Sequence, residues 1–559
     1  MKKQSPETLP ELLINAARDY PEQGVGFIRH DRTVGFMTYP VLLSRAREIL
    51  SGIQQLGIGR GETVILSLDT AEEIVPVLWA CFLGGVVPAL LQPPVSFSEY
   101  NPAAEKAGKV LEVLDNPKVI LSHTHFGAWR SSGIPETKLI DISMIPAPDR
   151  IHCIPDADPG DKVLIQFSSG STGDPKGIIL THRNILVNVA DIIQGIELKN
   201  SDISVNWMPL YHDMGLFGFQ ITPVFVGMTH YLINPVDFVK NPFLWLDFLS
   251  EKKCTITASP NFGQMLVNRY FARKASKKWD ISSIRVLFNG AEPISVPVME
   301  EFLECLKPFG LRPEAMFPAY GMAEATLAVT FGPLMRGAEV VSFLREPLLK
   351  QGHAVPAGSS GPGTMDLVNL GKPIGNTELR ITDENGQAVG NETIGEIRVK
   401  GDNVSAGYLN NPEETGRSFR REWLCTGDLG FIRNGNLFVT GRIKDIIFIN
   451  GTNYYAHDLE NTIIRMEGIP EGRIVMAGCF DENDGKDRVI VFLVGSDTPS
   501  LRETFVRIKE FFRKKTGLTV ETFVPVRSAD IPRTSSGKIQ RYKLVERFLS
   551  GTFPAVLKL

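Results

Sequence analysis

The chain has 559 residues, of which 43% are hydrophobic and 22% are charged, so it is long enough for a large core and for more than one domain. Its formal net charge is −4, so the chain has no overall excess of basic residues for binding nucleic acid. The six cysteines stand far apart without a CxxC pair, which argues against a zinc site or a disulfide framework and favours a reducing, cytoplasmic compartment.

The N-terminal part of the chain predicts a soluble protein rather than a secreted or membrane-spanning one. "MKKQSPETLPELLIN" has two lysines but no apolar stretch behind them, so we expect no secretory signal. Residues 74–91 are apolar enough to suggest a membrane span. Pro76, the Gly84–Gly85 pair and Pro88 interrupt them, and this pattern favours a buried helix that turns into a buried strand.

From about Thr63 to Thr330, short apolar runs alternate with helical patterns. The runs that predict buried strands are "TVILSLD", "KVILS", "KVLIQFS", "CTITAS" and "IRVLFNG". Such alternation is typical of α/β layers with largely parallel sheets. After Thr330, "ELRITDENGQAV", "GEIRVKG" and "GNLFVTG" predict antiparallel strands. From Asp445, two β-type runs and the helical "LRETFVRIKEFFRKKTG" predict a compact α+β domain.

The segment "KVLIQFSSGSTGDPKGIILTHRNIL" reads as strand, loop, strand and helix. Backbone N–H groups, hydroxyls and the lysine of its glycine-rich loop suit a phosphate. Taken alone, the loop could equally be a solvated turn. The Walker pattern of P-loop ATPases fails, because Pro175 precedes Lys176 and Gly177 follows it.

Seven motifs occur in one order along the chain: SSGSTGDPKG, YHDMG, NGAEP, YGMAEAT, TGD, GRIKD and SSGK. In this the chain resembles the adenylate-forming superfamily, and within it most closely a fatty acyl-AMP ligase. The resemblance implies that ATP and Mg²⁺ are used to convert a carboxylic (fatty) acid to acyl-AMP, with release of pyrophosphate. It also implies an N-terminal adenylation core over residues 1–443 and a mobile C-terminal lid over residues 444–559, hinged at Lys444.

The resemblance also assigns roles to individual residues. The phosphate-binding residues are Ser168, Ser171, Thr172 and Lys176. Around the nucleoside, Tyr320 would stack on adenine, and Asp428 and Arg442 would bind the ribose. The other residues of the nucleotide pocket are Asn289, Gly290, Ala291, Glu292, Gly321, Met322 and Ala323.

Catalysis is assigned to Lys538, which would bridge the carboxylate and the α-phosphate, together with Glu324, Thr172 and His212. Glu324 would bind Mg²⁺, a hard cation that prefers oxygen ligands. The expected acyl-binding residues are His212, Asp213, Met214, Gly215 and Phe219.

Each of these residues also has a purely structural interpretation. Tyr320 could be a core aromatic, Glu324 a charge at a helix N-terminus, and Asp213 a helix cap. His212 is more often structural than catalytic in such a position. Ala323 replaces the superfamily's usual threonine, a change that is common among fatty acyl-AMP ligases.

The acceptor of the acyl group is predicted from two further segments. Residues 332–370 resemble the insertion of fatty acyl-AMP ligases, which deliver the acyl group to the phosphopantetheine arm of an acyl carrier protein. "INGTNYYAHDLE" resembles that group as well, although Thr452 and Ala456 depart from it. The alternatives are an acyl-CoA synthetase and a catalytically silent nucleotide-binding module. A kinase or P-loop ATPase is a further, weak alternative.

Overall fold

The computed structural model describes residues 5–94, 96–97, 102–147, 154–168, 174–271, 278–361, 363–449, 452–467, 469, 472–481, 486–515, 518–534 and 538–558. Its α-helices are α1 (Leu9–Asp19), α2 (Tyr39–Gln55), α3 (Ala71–Gly84), α4 (Pro102–Val113), α5 (Phe126–Arg130), α6 (His182–Gly195), α7 (Thr222–Val226), α8 (Pro235–Lys240), α9 (Phe243–Glu251), α10 (Asn261–Phe271), α11 (Val296–Leu306), α12 (Pro412–Ser418), α13 (Ala456–Glu467), α14 (Pro499–Lys515) and α15 (Arg541–Leu549).

The strands are β1 (Gly24–Ile28), β2 (Val34–Thr38), β3 (Thr63–Ser67), β4 (Val87–Leu90), β5 (Lys118–Leu121), β6 (Leu139–Asp141), β7 (Lys162–Ser168), β8 (Lys176–Thr181), β9 (Ile203–Asn206), β10 (Thr229–Ile233), β11 (Ile256–Ala258), β12 (Val286–Asn289), β13 (Met316–Gly321), β14 (Ala328–Phe331), β15 (Val340–Leu344), β16 (Thr364–Val368), β17 (Lys372–Pro373), β18 (Glu378–Thr382), β19 (Gly395–Lys400), β20 (Phe419–Arg420), β21 (Trp423–Arg433), β22 (Asn436–Arg442), β23 (Ile446–Ile449), β24 (Thr452–Tyr455), β25 (Ile474–Asp481), β26 (Lys486–Val494), β27 (Thr522–Val526) and β28 (Leu557–Lys558).

The largest sheet has nine strands in the order β17-β14-β13-β12-β11-β9-β10-β1-β2. Its strands from β13 to β1 pair in parallel, whereas β2, β14 and β17 add antiparallel edges. A second, all-parallel sheet has the order β4-β3-β5-β6. These sheets confirm the predicted α/β layers. Ligands of such sheets bind outside the carboxyl ends of the parallel strands.

The apolar segment over residues 74–91 is part of the core, as the breaks in it predict. It forms α3, which ends at Gly85 in the left-handed region (φ 67°), and then the buried strand β4. Thr70 caps α3 by accepting a hydrogen bond from the Glu73 N–H at 3.3 Å. Among the described residues, no helix is both long and apolar enough to cross a bilayer.

After the large sheet, the chain forms the expected β-rich subdomain and a C-terminal α+β unit. The subdomain is a five-stranded antiparallel sheet built from β18 to β22. The C-terminal unit contains the sheet β25-β26-β27-β28 and helices α13 to α15. Lys444 lies in the short 3₁₀ turn Ile443–Asp445 between β22 and β23, and its role as a hinge stays a prediction.

The segment that resembles an insertion joins two parts of the molecule. It contains the antiparallel pair β15–β16 and a π-helical turn over Pro347–Gln351. Its apolar side chains share one hydrophobic core with the C-terminal unit, including Phe343, Leu348, Met365, Ile463, Ile474 and Phe505. Burial of apolar area is the dominant favourable term in such contacts, so this core fixes the C-terminal unit against the insertion.

A buried ion pair reinforces this contact. The guanidinium of Arg345 donates to the Asp458 carboxylate of α13, and both residues are almost fully buried. The Arg345 Nη2 also donates to the Thr364 carbonyl at 2.7 Å. A buried pair of this kind adds little stability over an apolar pair of similar volume, but removing one partner is costly because the remaining charge is left uncompensated.

We expect Arg345→Met to loosen the C-terminal unit by about 3–5 kcal/mol, because the Asp458 carboxylate would stay buried without its cation. Thermal melting and limited proteolysis should show a lower midpoint and faster cleavage of the C-terminal unit. Lys350→Met is the matched control, since Lys350 pairs with Glu346 at the surface of the same segment. Equal melting of the Arg345 variant and the wild type would contradict the assignment.

Candidate active site

A cavity of about 1120 Å³ lies beside the carboxyl ends of β12 and β13, and residues of the C-terminal unit complete its lining. Typical small-molecule sites measure about 300–1,000 Å³, so this cavity is large enough for a nucleotide together with a second group. The predicted site residues that line it are Ser168, Lys176, His212, Asp213, Met214, Phe219, Ala291, Glu292, Tyr320, Gly321, Met322, Ala323, Glu324, Asp428, Arg442, Lys444 and Lys538.

Three other predicted residues lie behind the cavity wall. Asn289 is fully buried at the end of β12, and neither of its amide atoms has a partner among the described residues. A Cβ on Gly290 would lie 2.5 Å from the Ala319 carbonyl oxygen, and one on Gly215 would lie 2.3 Å from that of Pro209. The two glycines therefore permit close backbone packing beneath the site. Ser171 and Thr172 lie outside the described residues.

The two ends of the predicted phosphate loop are held together by a strand pair. Ser168 at the end of β7 and Lys176 at the start of β8 are register partners in an antiparallel hairpin. The Lys176 ammonium pairs with Glu414 and lies 5.0 Å from the centre of the Tyr408 ring. The hydrogen bond from Lys176 holds the pKa of Glu414 below its ordinary value. The hairpin therefore positions a cation at the mouth of the loop.

Asp428 is the centre of a hydrogen-bonded trio. Its Oδ2 accepts from the Tyr320 hydroxyl at 2.8 Å, and its Oδ1 accepts from the Arg442 Nε at 2.7 Å. The Asp428 charge raises the pKa of Arg442. Each carboxylate oxygen has two lone pairs, so Asp428 keeps acceptor sites for a ligand hydroxyl while it holds Tyr320 and Arg442 in place.

His212 and Asp213 stand at the beginning of the π-helix Met214–Ile221. The Asp213 Oδ1 accepts from the Met214 N–H at 2.7 Å and lies 2.6 Å from the His212 Nδ1. Burial raises the pKa of Asp213, but His212 and Lys538 outweigh burial, and the resulting pKa lies below the ordinary value. Asp213 is thus the predicted cap and also lines the cavity as a carboxylate.

Glu324 lies in the 3₁₀ turn Ala323–Ala325, and its Oε1 accepts from the Tyr408 hydroxyl at 3.1 Å. The described residues contain no cluster of three or more metal-ligating side chains. Mg²⁺ is commonly bound by one or two carboxylates together with substrate phosphates and water. Glu324 and Lys176 both contact Tyr408, so a carboxylate that could hold Mg²⁺ stands near the cation of the phosphate loop.

Lys538 enters the cavity from the C-terminal unit. Its backbone N–H donates to the Thr534 Oγ1 at 3.1 Å. Burial lowers the pKa of Lys538 and Arg442 lowers it further, whereas Asp213, Glu292 and Asp428 act in the opposite direction. The pKa of Glu292 shifts in the opposite direction, because burial raises it. The Glu292 Oε1 has no hydrogen-bond partner among the described residues. Lys538 therefore lines the cavity together with three carboxylates that favour its charged form.

Sequence reasoning missed several residues that build the site. Tyr408 and Glu414 orient Glu324 and Lys176, but they lie in "GYLNNPEE", a stretch that reads as a surface loop. Lys106 of α4 lines the cavity and donates to the Phe167 carbonyl at 3.2 Å, and burial lowers the pKa of Lys106 to about 8. The charged pattern of α4 is typical of an exposed helix. Arg541, which lines the cavity, pairs with buried Glu460 at 2.6 Å.

The profile of the AMP-binding enzyme family matches residues 16–409. The chain belongs to this family. Residues 444–557 match the AMP domain of Disco-interacting protein 2-like proteins. These matches and the relatives below make the chain an adenylate-forming ligase, an enzyme class that uses ATP.

Named relatives cover nearly the whole chain. Long-chain-fatty-acid–AMP ligase FadD26 of Mycobacterium marinum is 30% identical over 589 residues, which cover 98% of both chains. Medium-chain-fatty-acid–[acyl-carrier-protein] ligase JamA of Moorena producens is 31% identical over 549 residues, 93% of this chain and 91% of JamA. A solved structure from work on fatty acyl-adenylate ligases of E. coli and L. pneumophila superposes with a TM-score of 0.89 at 29% identity, and the match covers 98% of each chain.

We expect Arg442→Gln to raise the pKa of Lys538, because it removes a neighbouring positive charge and leaves the negative charge of Asp428 unbalanced. Competitive amine labelling across a pH series, read by mass spectrometry at Lys538, measures this pKa. Arg417→Gln is the control, since Arg417 lines the same cavity but pairs with Glu413. An unchanged or lower pKa of Lys538 would show that the two cations do not interact.

Proposed function

We propose that this AMP-binding enzyme converts a fatty acid and ATP to acyl-AMP and pyrophosphate, and then transfers the acyl group to the phosphopantetheine thiol of an acyl carrier protein. The observation that carries the first part is the position of Lys538. A lysine of the C-terminal unit lines the cavity together with Asp213, Glu292 and Asp428, where a nucleotide and a carboxylate can meet.

In the first step, a carboxylate oxygen of the acid attacks the α-phosphorus of ATP. A phosphorus–oxygen bond forms to the acyl group while the bond to the leaving pyrophosphate breaks. Lys538 would stabilise the negative charge that builds on the α-phosphate oxygens. Lys176 would release the Glu414 carboxylate and pair with the departing phosphates instead. Bound at Glu324, Mg²⁺ would supply further charge neutralisation for the phosphates.

The covered cavity supports this chemistry in a second way. An acyl-AMP is a mixed anhydride, which water hydrolyses, so the C-terminal unit must exclude water during the reaction. An ion pair between Lys543 of α15 and Glu105 of α4, 3.0 Å long, holds that unit against the N-terminal part. The Arg345–Asp458 pair holds the same unit to the insertion.

The acyl part of the proposal rests on the arm of the cavity that follows the π-helix. The cavity lining that comes from the end of α6, the π-helix, α7 and the nearby strands includes the uncharged residues Ile192, Ile196, Leu198, Ser204, Gly218, Phe219, Thr222, Pro223, Met228 and Ile256. This lining suits an aliphatic chain. The names of FadD26 and JamA support a fatty acid as the substrate.

The acceptor part of the proposal is supported by JamA, which is named as a ligase for an acyl carrier protein. It is also supported by the insertion, whose shared core with the C-terminal unit restricts how freely that unit can turn between half-reactions. An acyl-CoA synthetase of the same fold remains the alternative.

Lys538→Ala should fold normally but lose about 10²–10³-fold in the rate of acid-dependent pyrophosphate release, the typical cost of removing one stabilising donor. A coupled pyrophosphate assay with a panel of fatty acids measures this rate. Lys514→Ala, a lysine that pairs with Glu510 at the surface of α14, is the matched control. Wild-type turnover by the Lys538 variant would remove this residue from the mechanism.

The acceptor can be identified directly. With acid, ATP and Mg²⁺ present, we expect the enzyme to load a holo acyl carrier protein and to form no acyl-CoA when coenzyme A is offered instead. Mass spectrometry detects both products, and an apo carrier without the phosphopantetheine arm is the control. Efficient acyl-CoA formation with no carrier loading would establish the acyl-CoA synthetase alternative.

A further inference from the structure

The inner part of the acyl arm is not uniformly apolar. Ser204 in β9 lines the cavity and is 1% exposed, and its Oγ has no hydrogen-bond partner among the described residues. The same lining includes the apolar residues Ile196, Leu198 and Met228. A hydroxyl in such surroundings loses its hydration without a replacement hydrogen bond, which costs free energy.

More unpaired polar atoms lie next to Ser204. In the sheet register, Ser204 stands between His230 of β10 and Ile256 of β11, so the three side chains share one face. The His230 Nε2 is 3.0 Å from the Gln220 Oε1, and the Gln220 Nε2 has no partner among the described residues. Asn206, two residues along the same face, has both amide atoms unpaired.

This polar group lies away from the reacting atoms. Asn206 ends β9 at the carboxyl edge of the sheet, and Ser204 lies two residues, roughly 6–7 Å, toward the amino end. Met228 directly precedes β10, whose first residue pairs with the first residue of β9. An acyl chain whose carboxylate lies near Asp213 and Lys538 therefore passes along the π-helix before it reaches Ser204.

We propose that the cavity is built for an acid with a hydroxyl or keto oxygen on the distal part of its chain, and that this oxygen hydrogen-bonds the Ser204 hydroxyl. The inference rests on the proposed function and refines its substrate class. Gln220 and Asn206, which lie outside the cavity lining, add further unpaired polar atoms nearby. A fully saturated hydrocarbon end would leave the Ser204 oxygen unpaired, whereas an oxygenated chain satisfies it. Sites that hydrogen-bond a substrate hydroxyl discriminate against the analogue lacking it.

The test compares pairs of acids of equal length, one unsubstituted and one with a hydroxyl or keto group at successive distal positions. For at least one position, we expect the oxygenated acid to have a kcat/KM about tenfold higher in acid-dependent pyrophosphate release, the effect of one net hydrogen bond in a buried site. Ser204→Ala should bring that ratio to about one, and Ser204→Thr, which keeps the hydroxyl, should restore part of it.

Ser295→Ala is the matched control. The Ser295 hydroxyl also lines the cavity, is 3% exposed and has no partner among the described residues, but it lies three residues from Glu292, at the end of the cavity that Lys538 reaches. This variant should keep the wild-type ratio between the paired acids. If it abolishes the ratio while Ser204→Ala does not, the oxygenated end binds elsewhere and the proposal is wrong.

Two outcomes separate this inference from the function on which it rests. If no acid in the panel releases pyrophosphate, the proposed function itself fails. If unsubstituted acids react as well as their oxygenated partners in wild type and in Ser204→Ala, adenylation stands and the distal oxygen site is overturned. A crystal structure with an unsubstituted acyl-adenylate that shows an ordered water on Ser204 would explain that second outcome.

Discussion

The Lys538 ammonium shares the cavity with three carboxylates, and their attraction offsets part of the cost of bringing it there. Removing a lysine from water costs free energy, and the adjacent Arg442 adds to that cost. Asp213, Glu292 and Asp428 oppose both effects, and they come from separate parts of the N-terminal core. The charges of the site therefore come from both units. The core supplies the carboxylates, and the C-terminal unit supplies the cation that they attract.

This dependence explains why so much structure is devoted to holding the C-terminal unit. The insertion contributes an apolar core and the Arg345–Asp458 pair, and α15 contributes the pair between Lys543 and Glu105. The two ion pairs lie outside the cavity lining, and together with the apolar core they help to keep Lys538 in the cavity. The contacts also oppose rotation of the unit, so a thiol acceptor that requires such rotation must offset their loss with binding energy of its own.

Much of the fold could be predicted because buried strands and their connections leave local patterns. The runs for β3, β5, β7, β11 and β12 were visible as apolar stretches, and the breaks after α3 identified a core helix. The site residues were assigned through motif resemblance, and the structure brings most of them to one cavity. Local pattern could not show which of these residues touch, since contact depends on the tertiary fold.

The contacts that sequence could not reveal join positions far apart in the chain. Lys176 and Glu414 are separated by 238 residues, Tyr320 and Asp428 by 108, and Arg345 and Asp458 by 113. In each case one partner lies in a stretch that reads as an ordinary loop, strand or exposed helix. Ser204 shows the same difficulty, because a serine within "DISVNW" resembles the polar position of a half-buried strand.

The two ends of the cavity are coupled through the substrate that spans them. Nucleophilic attack on phosphorus requires the carboxylate oxygen to be held at a short, aligned distance, and a flexible chain must lose rotational freedom to stay there. Van der Waals contacts along an apolar arm tolerate sliding, so they fix the position of the carboxylate poorly. A directional bond at Ser204 would set the depth of the chain, and thereby place its carboxylate under Lys538. Binding energy gained at the distal end would then appear in the rate of adenylation as well as in affinity. The Ser204 hydroxyl and the Lys538 ammonium would then lie a fixed distance apart, and the cavity would favour acids whose length matches that distance.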